Sequence, residues 1–486
     1  MRCFSRERVK LYILLILIAM SFIQVGILRY YQNPGMPTNF LLNVFGHRDN
    51  KITYDVGYFF KPYRIVVTEG FENPHWLINE DSGFYDPLWD EAKTYINNLL
   101  TKKNISYQGE YAREHWGEVV LKKSFVYEFK TLISTELLTA FLNADSVSDF
   151  KTGGIYKMAI LPSEDINRNI TLYIYNGLTV SKYIMPFEKK GLYINDFDGI
   201  INALYEEDGD SYSVIREYIS SHVYGYLSPD VLIVAKGERF RDYNSIICNV
   251  PESIKKVHGD GGLQKLAQSV LADEESEYLK NIDVYGTIVF QNLNNIYRIY
   301  EDGLLEYHYL YVIDNSDRGS ESEALQKALE FIKSKEDLMS KDTELYLSGI
   351  TRNPNHYTFT FDYKYSDNLV LVNDYKVNNR DSKTLDHAIT IEVNSKRVIG
   401  CHWLLKNFKR GNNKYSLSVK FEDLFDDVFS SYQDLDRGMF SIRDLNIAYE
   451  IGYSSKGQVL KPTWSIETMR KTRYIVPMRE KPKRGG

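Results

Sequence analysis

The hydropathy pattern of this chain falls into two regimes. Leu11 to Leu28 form one apolar block, and beyond it apolar positions recur in short runs with the period of a strand or a helix. A helix rises about 1.5 Å per residue, so a block of this length just reaches across the roughly 30 Å core of a bilayer. The head before it carries Arg2, Arg6, Arg8 and Lys10 against Glu7, which the positive-inside rule keeps in the cytoplasm while the rest of the chain goes outside. The block exceeds the roughly 7–15 residues of a signal-peptide core, and Val25 to Tyr31 offers no small-x-small cleavage pattern, so a retained single-pass anchor is expected. No cysteine follows the block, which argues against a lipoprotein anchor; Cys3 lies on the cytoplasmic side.

Residues 29–50, with prolines, glycines and scattered polar positions, read as a tether. The first strong element follows: Leu88, Trp89, Ala92, Tyr95, Ile96, Leu99 and Leu100 recur at helical spacing, with Asp86 as the expected cap and Pro87 in the first position. Gly117 to Lys130 is β-rich, and Ser134 is placed to cap a short helix through Leu138 and Phe141. Ile170–Tyr175 and Thr179–Met185 flank Asn176-Gly177, and Ile296–Tyr300 and Leu304–Val312 flank Asp302-Gly303; both pairs of runs predict hairpins. Ala324, Leu325, Ala328, Leu329 and Ile332 share a helical stripe, as do Phe421, Leu424, Phe425, Val428, Phe429 and Tyr432. Strands are expected at Leu345–Ile350, Tyr357–Tyr363, Ala388–Val393, Arg397–Leu405, Leu445–Tyr453 and Thr463–Ile466. Strands set around single helices, without regular alternation, predict an α+β fold of antiparallel sheets, each packed with one or a few helices.

Composition changes the picture in two places. A net charge of −6 excludes a nucleic-acid partner, and some 450 external residues exceed one core. The expected organisation is a basic tail (1–10), the membrane helix (11–28), the tether (29–50), α+β domains at 51–162 and 163–283, a third at 284–410, a C-terminal subdomain at 411–478 and a basic tail at 479–486. Cys248 and Cys401 sit in apolar surroundings and read as buried thiols. So few cysteines outside a membrane favour a bacterial envelope. The thirty-nine tyrosines read as sheet formers rather than a carbohydrate platform.

Few residues of the chain carry a recognisable chemical motif. The sequence has no phosphate loop, nucleophile elbow or paired CxxC, and no two of its nine histidines have the i, i+4 spacing of a zinc helix. No cofactor or metal is expected. The three short motifs of penicillin-recognising serine enzymes do occur, as Ser253-Ile-Lys-Lys256, Ser366-Asp367-Asn368 and Lys151-Thr152-Gly153. Their order along the chain is wrong for that chemistry, which places S-x-x-K first and K-T-G last. No catalytic residue is assigned.

Several segments carry a resemblance. Tyr85-Asp-Pro-Leu-Trp89-Asp-Glu-Ala-Lys93, Phe125-Val-Tyr-Glu-Phe129 leading to Ser134-Thr-Glu-Leu-Leu138, Tyr297 to Tyr307, Ala324 to Ile332 and Pro462-Thr-Trp-Ser-Ile466 resemble the YycH family over nearly the whole chain. The resemblance implies a non-enzymatic regulator in Gram-positive bacteria, anchored by one N-terminal helix. Its external domains and membrane helix would contact a sensor histidine kinase of the WalK (YycG) type that controls cell-wall metabolism. It also implies a YycI-like companion protein and later domains, 284–410 above all, with a PepSY-like α+β fold.

Within the membrane block, Ala19, Ile23 and Gly26 lie on one helical stripe whose small residues admit a second helix, and Ser21 and Gln24 on the next stripe can hydrogen-bond in the bilayer. This face is the expected partner-helix contact. At the other end Arg470, Lys471, Arg473, Arg479, Lys481, Lys483 and Arg484 face only Glu480, which reads as a solvated end or as a contact to anionic lipid or wall polymer. Three functions remain in order: kinase regulator, envelope protein binding wall polymer or assembly machinery, and external serine enzyme.

Overall fold

The computed structural model describes residues 60–101, 105–144, 150–162, 169–186, 194, 196–206, 211–215, 228, 230–234, 240–259, 261–271, 278–311, 318–376, 384–432, 442–452, 457–469 and 472–481. The membrane block, with Ala19, Ser21, Ile23, Gln24 and Gly26, and the tether lie outside them. Among the described residues no helix is long and apolar enough to cross a membrane.

Alternation of apolar and polar side chains builds two large sheets. The first has nine strands, all antiparallel, in the order Ser106–Ala112, Thr179–Pro186, Asn169–Tyr175, Gly154–Leu161, Ser124–Ser134, Arg64–Thr68, His75–Ile78, Ser211–Val214 and Leu232–Val234. One face packs beneath the helices Tyr85–Leu100, Thr135–Leu142 and Phe197–Glu206, burying Leu88, Trp89, Tyr95, Leu138 and Ile200 against Ile65, Tyr127 and Ile160. The other is covered by Trp116, Val119 and Val120. The second sheet has twelve strands, running from Leu279–Ile282 at one border to Arg473–Pro477 at the other. Its pairs are antiparallel except Asn368–Val372, which runs parallel to Ile442–Ile451. The helices Gly262–Leu271 and Glu321–Lys333 join the same continuous core, while Phe421–Ser431 packs Leu424 and Val428 on Ile442, Trp464 and Ile466. A three-stranded sheet links Phe240–Asn249 with Asn407–Ser418 and Gln458–Leu460. Ile52–Gly486 forms one compact unit.

The antiparallel α+β architecture expected from the pattern is what the chain adopts. The position expected as a boundary at 162 lies between Gly154–Leu161 and Asn169–Tyr175, neighbours in one sheet. Both hairpins form, with Gly177 at φ +97° and Gly303 at φ +91°, values a side chain rarely adopts. Ser134 caps its helix by accepting from the Leu137 N–H.

Three expectations are corrected. The Tyr85–Leu100 helix begins before Asp86, and its N-cap Phe84 makes no side-chain hydrogen bond. Ser82 Oγ instead accepts from the Phe84 N–H, so the chain is already turned when Asp86 is reached. The β-run from Gly117 starts as a helical turn, Trp116–Val119, because Trp116 and Val119 are drawn under the sheet; the strand begins only at Ser124. The C-terminal charges are not all solvated either. Arg473 is drawn in and donates to the buried Asp362 (3.2 Å), whereas Arg479 stays exposed and meets Asp427 (2.7 Å) and Asp423 (3.3 Å) at the surface.

Candidate functional site

The concentration of buried charge lies where the nine-stranded sheet meets the C-terminal strands of the twelve-stranded one. Arg64, Glu128 and Lys157 stand directly opposite one another on three adjacent strands. The Glu128 carboxylate accepts from Arg64 Nε on one side and Lys157 Nζ (3.2 Å) on the other. Lys157 also donates to Asp230, whose carboxylate accepts from Trp116 Nε1 (2.9 Å) and Ser228 Oγ. On the facing sheet Asp444 accepts from Lys130 Nζ (2.5 Å) and pairs with Arg64 (3.3 Å). Tyr63 OH donates to Asn446 Oδ1 (2.8 Å), and Glu467, opposite Asp444, meets Arg443 (3.4 Å).

Charges this deep survive only as a balanced set, since an unpaired buried ion costs several kcal/mol. Burial pushes the Asp444 carboxyl up, but Lys130 and Arg64 outweigh it and hold the carboxyl well below the usual range. Asp230 is lowered in the same way by Lys157 against its own burial. Burial likewise opposes the charge of Lys157, and Asp230 and Glu128 restore it and raise the ammonium above its ordinary value.

A second joint couples helix ends. The buried Glu321 carboxylate takes Arg352 in a fork (2.8 and 3.0 Å) and accepts from Ser134 Oγ (2.9 Å), and Glu136 accepts from the Ser322 N–H (3.1 Å). A third links Glu80 to Lys364 (2.9 Å) and Lys364 to Asp367 (3.2 Å) beside a cleft of about 20 Å³ lined by Lys61, Tyr63, Glu344 and Tyr346. That volume holds about one water molecule, far below the several hundred Å³ of a metabolite site. Together the joints fix the two sheets to each other.

The other sequence candidates are scattered. Ser253 lies exposed in the turn Glu252–Lys255, with Lys256 paired to Glu252 (3.4 Å). Ser366 and Asp367 form the tight turn between Tyr357–Tyr365 and Asn368–Val372, both at positive φ. Lys151–Gly153 turns into the strand Gly154–Leu161. Ser348, His387 and Asp362 do come together, but Ser348 Oγ (3.3 Å) and Asp362 Oδ2 (3.0 Å) both meet Nδ1 of His387. A serine relay needs one partner on each ring nitrogen. No group of three or more His, Cys, Asp or Glu side chains among the described residues could hold a metal ion. Cys248 and Cys401 are buried, as expected.

Sequence reasoning passed over the charge joint. Its one trace was a charged residue inside an apolar strand, such as Glu128 within Phe125-Val-Tyr-Glu-Phe129 or Lys157 between Tyr156 and Met158.

No protein-family model and no curated protein matches the sequence. Among solved structures, the crystal structure of YycH from Bacillus subtilis is similar with a TM-score of 0.54 at 10% identity, covering 89% of this chain and 99% of that one. An uncharacterised protein from Eubacterium rectale ATCC 33656 aligns with a TM-score of 0.32 at 12% identity, over 60% of this chain and 99% of that one. The first likeness shows a shared fold: this chain has a YycH-like α+β architecture.

Proposed function

We propose that the chain is a non-enzymatic, membrane-anchored regulator of a sensor histidine kinase of the WalK type, acting with a YycI-like companion in the control of cell-wall metabolism. The observation that carries this reading is the YycH-like fold, which extends over nearly the whole of both chains. The Leu11–Leu28 block supplies the anchor, and Ala19, Ser21, Ile23, Gln24 and Gly26 the face toward the kinase membrane helix. The three polar joints support a scaffold role: a body locked at several points passes a signal to its anchor by moving as a whole. The 284–410 range is read as the PepSY-like part.

Cross-linking in intact membranes with a tagged full chain, followed by mass spectrometry, tests the reading. Recovery of a sensor histidine kinase is expected, and its loss when Leu11–Leu28 is exchanged for a foreign membrane helix. Replacing Ala19, Gln24 and Gly26 by leucine should weaken the capture. Recovery of wall-synthesis proteins or wall polymer without a kinase would refute it.

A further inference from the structure

The charge joint holds three side chains in an arrangement that suits a covalent reaction. Lys157 Nζ meets the carboxylates of both Asp230 and Glu128, and the Lys157, Glu128 and Asp230 side chains are only 8%, 5% and 3% exposed. Val126 and Ala159, each two positions along a strand from Glu128 and Lys157, belong to one apolar cluster with Trp116, whose ring stacks on Tyr175 at 5.5 Å. Bulk water is kept from the three groups.

Asp230 has a further donor on each oxygen: Ser228 Oγ on Oδ1 (2.5 Å) and Trp116 Nε1 on Oδ2 (2.9 Å). Lys157 donates to that same Oδ2. Glu128 meets Arg64 through Oε2 and Lys157 through Oε1 (3.2 Å). The neighbouring pair differs, because Asp444 is shared between Lys130 and Arg64 and the second carboxylate, Glu467, stands 3.7 Å from Lys130.

We infer that Lys157 and Asp230 condense into an amide, Nζ to Cγ, with Glu128 as the proton carrier and water as the leaving group. Burial opposes the charge of each partner more than any other single influence, and passing one proton along their hydrogen bond removes both charges and frees the nitrogen lone pair. The lone pair attacks Cγ, the N–C bond forms, and the carbonyl electron pair moves to Oδ1, where the Ser228 hydroxyl donates to the oxyanion. Glu128 Oε1 takes one proton from the now cationic nitrogen and gives it to the Oδ2 hydroxyl. Water leaves as that C–O bond breaks, and the electron pair on Oδ1 restores the carbonyl. One ammonium and one carboxylate become one amide and one water, with Glu128 returned to its starting state and no oxidant or cofactor consumed. Reactants held in contact in this way reach effective molarities of about 10⁵–10⁸ M. The bond ties an interior strand of the nine-stranded sheet to the residue 73 positions on that leads into its border strand Leu232–Val234, in a body whose two described cysteines are free thiols.

The test digests the full chain, purified in detergent and denatured, with trypsin and reads the peptides by tandem mass spectrometry. Trypsin does not cleave after an amidated lysine, so residues 152–168 should appear joined to residues 217–236, lighter than the two together by one water. In Lys157→Met both segments should appear linear. Asp230→Asn should give the same joined peptide at identical mass, because ammonia leaves in place of water. Glu128→Gln should slow its appearance after pulse labelling about 100-fold or more, with protection of the buried Cys248 from alkylation showing that the variant is folded. Linear 152–157 and 217–236 at full abundance in the wild type, or a joined peptide that forms as fast in Glu128→Gln, would overturn the inference.

Discussion

Asp444→Asn tests whether the charge joint holds the two sheets together. The substitution keeps size and removes the charge. Lys130 then loses the carboxylate 2.5 Å from its Nζ and retains only Glu467 at 3.7 Å, while Arg64 retains Glu128. Removing one member of a buried ion pair costs about 3–5 kcal/mol. Each cation here keeps one partner, which places the loss near the lower end, about 3 kcal/mol. Urea unfolding followed by tryptophan fluorescence reads it directly, because Trp76, Trp89, Trp116, Trp403 and Trp464 are all buried. The pH dependence has a definite sign. Asp444 is depressed by Lys130 and Arg64 against its burial, so its contribution is complete above the unfolded carboxyl value near 3.8. That contribution fades as pH falls toward the folded value. The gap between wild type and variant should be full at pH 7 and narrow below about pH 4. A variant within 1 kcal/mol of wild type at pH 7, or a gap that widens in acid, would refute the reasoning.

Three further outcomes follow from the same geometry. Glu321→Ala removes the fork to Arg352 and the Ser134 contact from a buried position and should destabilise the protein by about 2–3 kcal/mol in the same urea assay. Gly303→Ala places a Cβ 2.5 Å from Leu405 O at φ +91° and should cost about 2 kcal/mol, whereas Gly177→Ala meets strain without a clash and should cost less. Burial pushes the Cys248 thiol up to about 11 and Cys401 higher still. Peptide mass spectrometry after iodoacetamide treatment at pH 8 should therefore find both unlabelled in native protein and labelled in urea.

Local chemistry was legible where a few adjacent residues decide the outcome. Asn176-Gly177 and Asp302-Gly303 dictate their turns, Ser134 its cap, and the stripe from Ala324 to Ile332 its helix. Val119 and Val120 misled because a β-branched run is as suitable for covering a sheet as for joining one, and Trp116 drew them under it. The pairing of Phe240–Asn249 with Asn407–Ser418 and the parallel pair of Asn368–Val372 with Ile442–Ile451 carry no local signal, since their partners lie far apart in sequence. The joint was hidden for the same reason. Arg64, Glu128, Lys157, Asp230 and Asp444 belong to five separate segments, and only the fold brings their charges into register.

Reconstitution of the full chain with its candidate kinase in lipid vesicles, with kinase autophosphorylation as the readout, is the most direct measurement. The proposed regulator role requires that the chain change the phosphorylation rate, in either direction, by about fivefold or more, and that a chain carrying a foreign helix in place of Leu11–Leu28 not do so. Equal rates with and without the chain would contradict it.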